Sequence, residues 1–135
     1  MFSDNPVYAA FIEDHRWAIL TTLRTSGAPV SSVVAYARDQ DDLVVSTPGS
    51  TFKRSSIERD PRVNLCIISN QEPFNFVAVE GEAMVETDDL VRRTRMVFAR
   101  IPDMYDEPDP LEEWLKEQGR VILRISSTRI TGVIR

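Results

Sequence analysis

Residues 76–86 read FVAVEGEAMVE. Positions 77, 79, 83 and 85 are apolar, Glu80 and Glu82 stand between them, and Glu86 follows. A period of two is the mark of a half-buried strand; a helix would repeat near 3.6. Gly81 at the centre marks a bulge, or a point where another backbone comes close. A strand of this kind needs a sheet to belong to, and the rest of the chain supplies one.

Trp17 to Leu23 (WAILTTL) is apolar and β-branched, and so is Val30 to Arg38 (VSSVVAYAR). Thr25-Ser26-Gly27-Ala28-Pro29 between them is a turn, so the pair reads as a hairpin. Further strands are expected at Leu43–Thr47, Val63–Ser69, Val121–Ile125 and Arg129–Ile134. Short helices are expected after Asn5-Pro6, from about Ser50 to Arg59, after Asp88-Asp89 as capping residues, and from Leu111 to Gln118 with Gly119 as the stop. Asp103 to Pro110 is acidic and proline-rich, and reads as a loop. The prediction is a mainly β protein with small helices (α+β), built as a six- to seven-stranded antiparallel barrel. The 135 residues fit one domain spanning 1–135.

Several classes of function are disfavoured. The formal net charge is -5, whereas a duplex-binding domain is usually basic, so no nucleic-acid partner is expected. No apolar run reaches the roughly 18 residues of a membrane helix, and the start has neither a basic nor an apolar leader region. Cys66 is the only cysteine, which fits a reducing, cytoplasmic setting. His15 is the only histidine and falls on the polar end of the first helix, where a surface role is expected, so no triad and no zinc site is predicted. There is no GxGxxG. If the protein is an enzyme, a bound cofactor carries the chemistry.

The stretch that invites a cofactor is TPGSTFKRSSIERDPRV, residues 47–63. Small hydroxyl residues, a helix start and adjacent Lys53 and Arg54 are the parts of a phosphate cradle. The same two cations also read as the solvated start of a helix, and local chemistry leaves both readings open.

That stretch resembles the signature of the pyridoxamine 5′-phosphate oxidase-like split β-barrel flavoproteins, and most of all their small branch dependent on the deazaflavin coenzyme F420. The residues that carry the resemblance are Ser46-Thr47, Gly49, Thr51-Phe52-Lys53, Ser56-Ile57 and Asp60-Pro61-Arg62-Val63. Trp17 to Arg24 with Ser26 to Pro29 is similar to the family's first hairpin, Val79 to Ala83 to its Val-x-Gly-x-Ala strand, and Val121 to Gly132 to its closing strand. Two departures stand out. Ser56 replaces a frequent Asn, and Val30 to Tyr36 lacks a frequent Pro-Val-Trp run.

The resemblance implies an FMN-binding-like split barrel and a homodimer with cofactor sites at its interface. It implies F420, with FMN as the alternative, and a hydride exchanged with a small conjugated substrate. A non-catalytic cofactor-binding dimer is the third possibility. Thr47, Ser50, Thr51, Lys53, Arg54 and Ser56 are the implied phosphate residues. Ser32, Val33 and Val34 are the implied ring residues. Trp17, Tyr36 and Phe74 are candidate walls. Arg92, Arg93, Arg95 and Arg100 are candidates for the anionic tail of F420, unless they form a solvated helix face. No catalytic side chain and no metal ligand is implied, and the substrate is not legible.

Overall fold

The computed structural model describes residues 4–101 and 106–135. The first helix, α1 (Pro6–Asp14), is capped by Asn5, whose Oδ1 accepts from the N–H groups of Val7 (2.9 Å) and Tyr8 (3.3 Å). Then come β1 (Trp17–Leu23), β2 (Pro29–Ala35), β3 (Ala37–Asp39), β4 (Asp42–Pro48) and α2 (Phe52–Arg59). The chain continues through β5 (Arg62–Ile68), β6 (Phe76–Glu86), α3 (Leu90–Phe98), α4 (Leu111–Gln118) and β7 (Arg120–Val133).

All strand pairs are antiparallel, in the order β2-β1-β5-β6-β7-β4-β3. This order forces the sheet to curl. Its two edges, β2 and β3, are separated in the chain by Tyr36 alone. Laid flat, six strand spacings would put them about 29 Å apart, while two peptide steps reach about 7 Å. The sheet therefore wraps until its edges meet, and β2 approaches β4 without a ladder between them. The result is a seven-stranded split barrel with small helices.

Alternate residues of each strand fill the barrel. Leu20, Leu43, Leu65, Val79, Leu123 and Ile125 are among its buried side chains, and Phe11 and Ile12 of α1 join the same core. On the outside, Val97 of α3 packs over Ala37, Val44 and Ile122.

Gly81 does mark a close approach. The register of β6 against β7 slips between Glu80 and Gly81, and a Cβ on Gly81 would lie 2.2 Å from the Ser126 carbonyl oxygen.

Three expectations need correction. Val30–Arg38 is not one strand, because Tyr36 turns inward and breaks it into β2 and β3. Val121–Ile125 and Arg129–Ile134 are not two strands; the bulge opposite Gly81 absorbs the irregularity and β7 runs through. Asp89 does not cap α3 with its side chain. It adopts φ +54 and gives its carboxylate to Arg92 instead.

Ion pairs fasten α3 to the barrel. Asp39 accepts from Arg92 (3.0 Å) and Arg93 (3.2 Å), and Glu86 accepts from Arg93 (2.6 Å) and Arg124 (2.7 Å). The bond from Arg92 is the main reason that Asp39 sits below the usual carboxylate range. Burial pushes Glu86 upward, but the bonds from Arg93 and Arg124 together outweigh it and hold it down. Depressed native pKa values stabilise the fold above the unfolded carboxylate range, and that stability is lost as pH falls through the native values. An Asp39→Asn protein should therefore be less stable than the parent in urea at pH 7, and the gap should shrink at pH 3. An equal gap at both pH values would refute the role of ionised Asp39.

Candidate cofactor site

The site is built where β4 hands over to α2. At Pro48 the strand ends, and the chain turns so that the Thr51 N–H reaches the Pro48 carbonyl at 3.3 Å. The Thr51 hydroxyl points back to β4, donating to the same carbonyl at 3.0 Å and lying 3.2 Å from the buried Thr47 hydroxyl. Thr51 is the N-cap residue, yet with its side chain turned back it makes no cap bond. The first N–H groups of α2 thus have no side-chain acceptor, and there is no acidic residue in the first turn. That end of the helix carries uncompensated positive potential.

Lys53 stands in this first turn. It is half-buried, its Nζ lies 5.0 Å from the Phe52 ring centroid, and burial lowers its pKa. No carboxylate among the described residues pairs with it. A partly desolvated ammonium at an uncapped helix start is suited to an anion.

Arg54 behaves differently. Its Nε donates to Glu58 at 2.8 Å, and one guanidinium nitrogen packs 2.8 Å from where a Cβ on Gly49 would sit. It lines a separate cleft of about 590 Å³ beside α3 and α4. The structure does not bring Arg54 together with the cleft that Ser56 lines. Ser50 is exposed at the turn.

The ring residues are divided by the strand's alternation. Ser32 and Val34 face inward, and Val34 is part of the core. Val33 faces outward and is 66% exposed. Ser32 is informative because its hydroxyl is buried with no partner among the described residues. Such a group costs stability unless something bonds to it. β2 is also a sheet edge, paired on one side only. The unpartnered Ser32 hydroxyl and the uncapped start of α2 are each suited to a polar group of a phosphate-bearing ring cofactor.

Ser56 is buried and lines a cleft of about 520 Å³ with Phe52, Ser55 and Arg59 of α2, Val30 of β2, and Arg24, Thr25 and Ser26 of the first hairpin turn. Sequence reasoning missed Arg24 and Arg59. The available signal was the spacing 52, 55, 56, 59, which puts four residues on one helical stripe.

The wall candidates separate as well. Tyr36 is fully buried, with its hydroxyl 2.7 Å from the carbonyl oxygens of Ile12 and His15, so it is a core residue. Trp17 lines a cleft of about 370 Å³ with Val33 and His15. His15 is half-buried, stacked 3.8 Å over Phe11 with Nδ1 2.8 Å from the Phe11 carbonyl oxygen, rather than a solvated surface group. Phe74 is exposed in the β5–β6 turn.

The arginines on and just after α3 are paired, although Arg92 and Arg95 remain exposed to solvent. Arg92 and Arg93 hold Asp39, Arg95 holds Glu107 at 2.7 Å, and Arg100 donates to the Glu13 carbonyl at 2.6 Å and to that of His15. Part of the loop expected to bear on substrate choice, residues 103–105, lies outside the described residues. No helix of the described residues is long and apolar enough to cross a membrane.

Residues 5–133 match the family described as pyridoxamine 5′-phosphate oxidase. Among curated proteins, the chain is 27% identical over 126 residues to an F420H(2)-dependent biliverdin reductase of Mycobacterium tuberculosis, covering 91% of this chain and 83% of that one. A solved F420 reductase superposes with TM-score 0.76 at 19% identity, covering 94% of this chain and 98% of the other. A conserved hypothetical protein from Mycobacterium tuberculosis superposes with TM-score 0.77 at 22% identity, covering 96% and 83%. At these identities the two structural likenesses speak for the fold alone.

Proposed function

The chain belongs to the pyridoxamine 5′-phosphate oxidase family, and from that premise we propose that it is an oxidoreductase that uses coenzyme F420 to exchange a hydride with a small conjugated organic substrate. The observation that carries the cofactor reading is Lys53, half-buried and paired with no carboxylate among the described residues, at an uncapped helix start. The relative named as F420H(2)-dependent supports F420 over FMN.

When bound, the deazaflavin supplies the hydride chemistry itself. The protein's part is to bind and orient. Lys53 and the first N–H groups of α2 would hold the phosphate, with the Thr51 hydroxyl available beside them. The edge of β2, with the Ser32 hydroxyl, would bind the ring, while exposed Val33 and Trp17 leave apolar surface for an acceptor. No side chain is needed as a hydride carrier, which accounts for a site without an acid–base pair.

The reading includes a homodimer. Val33, Ile19, Cys66 and Ala78 are register partners in one row across β2, β1, β5 and β6, and none of them is buried. A second copy is the occupant that fits this self-complementary apolar row, and it would close the site beside β2.

Fluorescence titration with F420 and FMN in parallel tests the cofactor, with light scattering run on the same samples. The expected result is tighter binding of F420 and a mass of two chains. Preference for FMN would replace the cofactor assignment, failure to oxidise reduced F420 with any conjugated acceptor would leave a binding protein only, and a single-chain mass would remove the dimer.

A further inference from the structure

The only histidine of the chain is held more firmly than a surface side chain requires. The His15 N–H donates to the Phe11 carbonyl at 3.2 Å, and the His15 carbonyl accepts from the Tyr36 hydroxyl at 2.7 Å and from Arg100. The imidazole lies on the Phe11 ring, with centroids 3.8 Å apart and planes 20° from parallel. Its Nδ1 is 2.8 Å from the same Phe11 carbonyl oxygen. A carbonyl oxygen only accepts, so Nδ1 carries the hydrogen. Nε2, on the far edge of the ring, is then the nitrogen left to exchange a proton, and it has no partner among the described residues.

This ring lines the cleft of about 370 Å³ where α1 hands over to β1. Trp17 and Val33 give the cleft an apolar side. They are diagonal neighbours on paired strands, since Trp17 registers with Ala35 and Ile19 with Val33. Asn70 and Gln71 bring neutral amides from the β5–β6 turn. The charged lining, Asp14 and Arg16, is exposed and has one group of each sign. A flat apolar wall, amides and one imidazole suit an uncharged, flat acceptor that bears a carbonyl oxygen. The cleft is also placed at the right end of β2. Val30, near the start of that strand, lines a cleft with Phe52 of α2, and Val33 lies three residues, about 10 Å, further along. A cofactor anchored at α2 with its ring along β2 therefore presents the ring toward His15.

We propose that this cleft seats a conjugated carbonyl acceptor, and that His15 is the catalytic acid that protonates its oxygen from Nε2. The proposal rests on the F420 reading above. The hydride comes from the reduced deazaflavin and forms a C–H bond at the β-carbon of the acceptor. The electron pair of the C=C bond shifts toward the carbonyl, so negative charge gathers on oxygen. There the Nε2–H bond breaks and an O–H bond forms. The enol returns to the ketone in water, and the neutral imidazole takes back a proton from solvent. The acceptor gains two electrons and the cofactor loses two. A ring fixed by stacking and by its Nδ1 bond needs little reorganisation to do this.

The test uses benzylideneacetone, an aryl enone, as the probe. Nitrogen NMR on cofactor-free protein with isotope-labelled histidine reads His15 alone, because there is no other histidine. The neutral ring should be the Nδ1–H tautomer, and the probe should shift the Nε2 signal more than the Nδ1 signal. An Nε2–H tautomer, or signals that the probe leaves unmoved, would overturn the proposal. This arm uses the unaltered protein, so it stands even where a variant folds poorly. In His15→Gln, single-turnover oxidation of reduced F420 by the probe should slow about 100-fold, while the dissociation constant of the probe changes by less than about twofold. A variant as fast as the parent would remove the acid role and leave the F420 reading intact. A loss of rate matched by an equal loss of probe affinity would make His15 a wall residue and overturn the role in the same way. A parent that binds no F420 would instead bring down the F420 reading, and the role of His15 with it.

Discussion

A Tyr36→Ala protein should lose about 3–5 kcal/mol of stability, the usual cost of emptying a buried aromatic site. Against a typical total of about 5–15 kcal/mol, that leaves little or no folded protein at 37 °C. The reason is position as much as size. Tyr36 is the single residue between the two edges of the sheet, and its side chain is fully buried. Its hydroxyl lies 2.7 Å from the carbonyl oxygens of Ile12 and His15, and the Arg100 guanidinium sits 5.6 Å from its ring centroid. Burial pushes the phenol pKa upward, with Arg100 opposing, so the group is a neutral donor at neutral pH. Tyr36→Phe separates the two contributions. It keeps the packing and removes the donor, and should cost about 1–3 kcal/mol through carbonyls left without it. Urea midpoints for the two variants give both numbers, and a Tyr36→Ala loss under 1 kcal/mol would mean that the barrel closes without this residue.

Lys53→Ala should weaken cofactor binding about 10- to 100-fold, the value of a charge-assisted bond to phosphate. The melting temperature should stay where it is or rise slightly. In the unliganded protein, Lys53 is partly desolvated and pairs with no carboxylate among the described residues, so its removal relieves a small desolvation cost and loses only an exposed contact with the Phe52 ring. Loss of affinity without loss of stability is the signature of a residue kept for a ligand. Arg54→Ala should do the reverse, because its bond is to Glu58 and its packing is against Gly49. Titration and thermal melts on both variants read this out. Equal affinity of parent and Lys53→Ala would move the phosphate elsewhere.

The strands were legible because a half-buried strand writes its period directly into the residues. Phe76–Glu86 has the same bounds in sequence and structure, including the close approach at Gly81. What the period does not show is where a continuous apolar run breaks. Val33 to Ala37 is apolar without a break, and only the meeting of two sheet edges reveals that Tyr36 is a corner. The helix start was readable from small residues beside cations, but the direction of adjacent side chains was not. Lys53 and Arg54 are about 100° apart around the helix, so one stands at the open helix start and the other turns to Glu58 and a second cleft. The partners of the arginines on α3 were also hidden. Asp39, Glu86 and Glu107 are distant in sequence, and nothing in an arginine-rich helix says which carboxylates the fold will bring to it.

The order of the sheet also bears on how the protein is made. β7 lies between β6 and β4, pairing with both, although it is the last of the seven strands to be synthesised. While a ribosome still holds those fourteen residues, β4 and β6 each present an unpaired edge toward the place β7 will fill. Closure requires partners such as Asp42 and Ser126, far apart in the chain, to find one another at the end. A nascent chain is therefore sticky until its final strand emerges, and any delay in translating that strand lengthens the interval in which chaperones are needed.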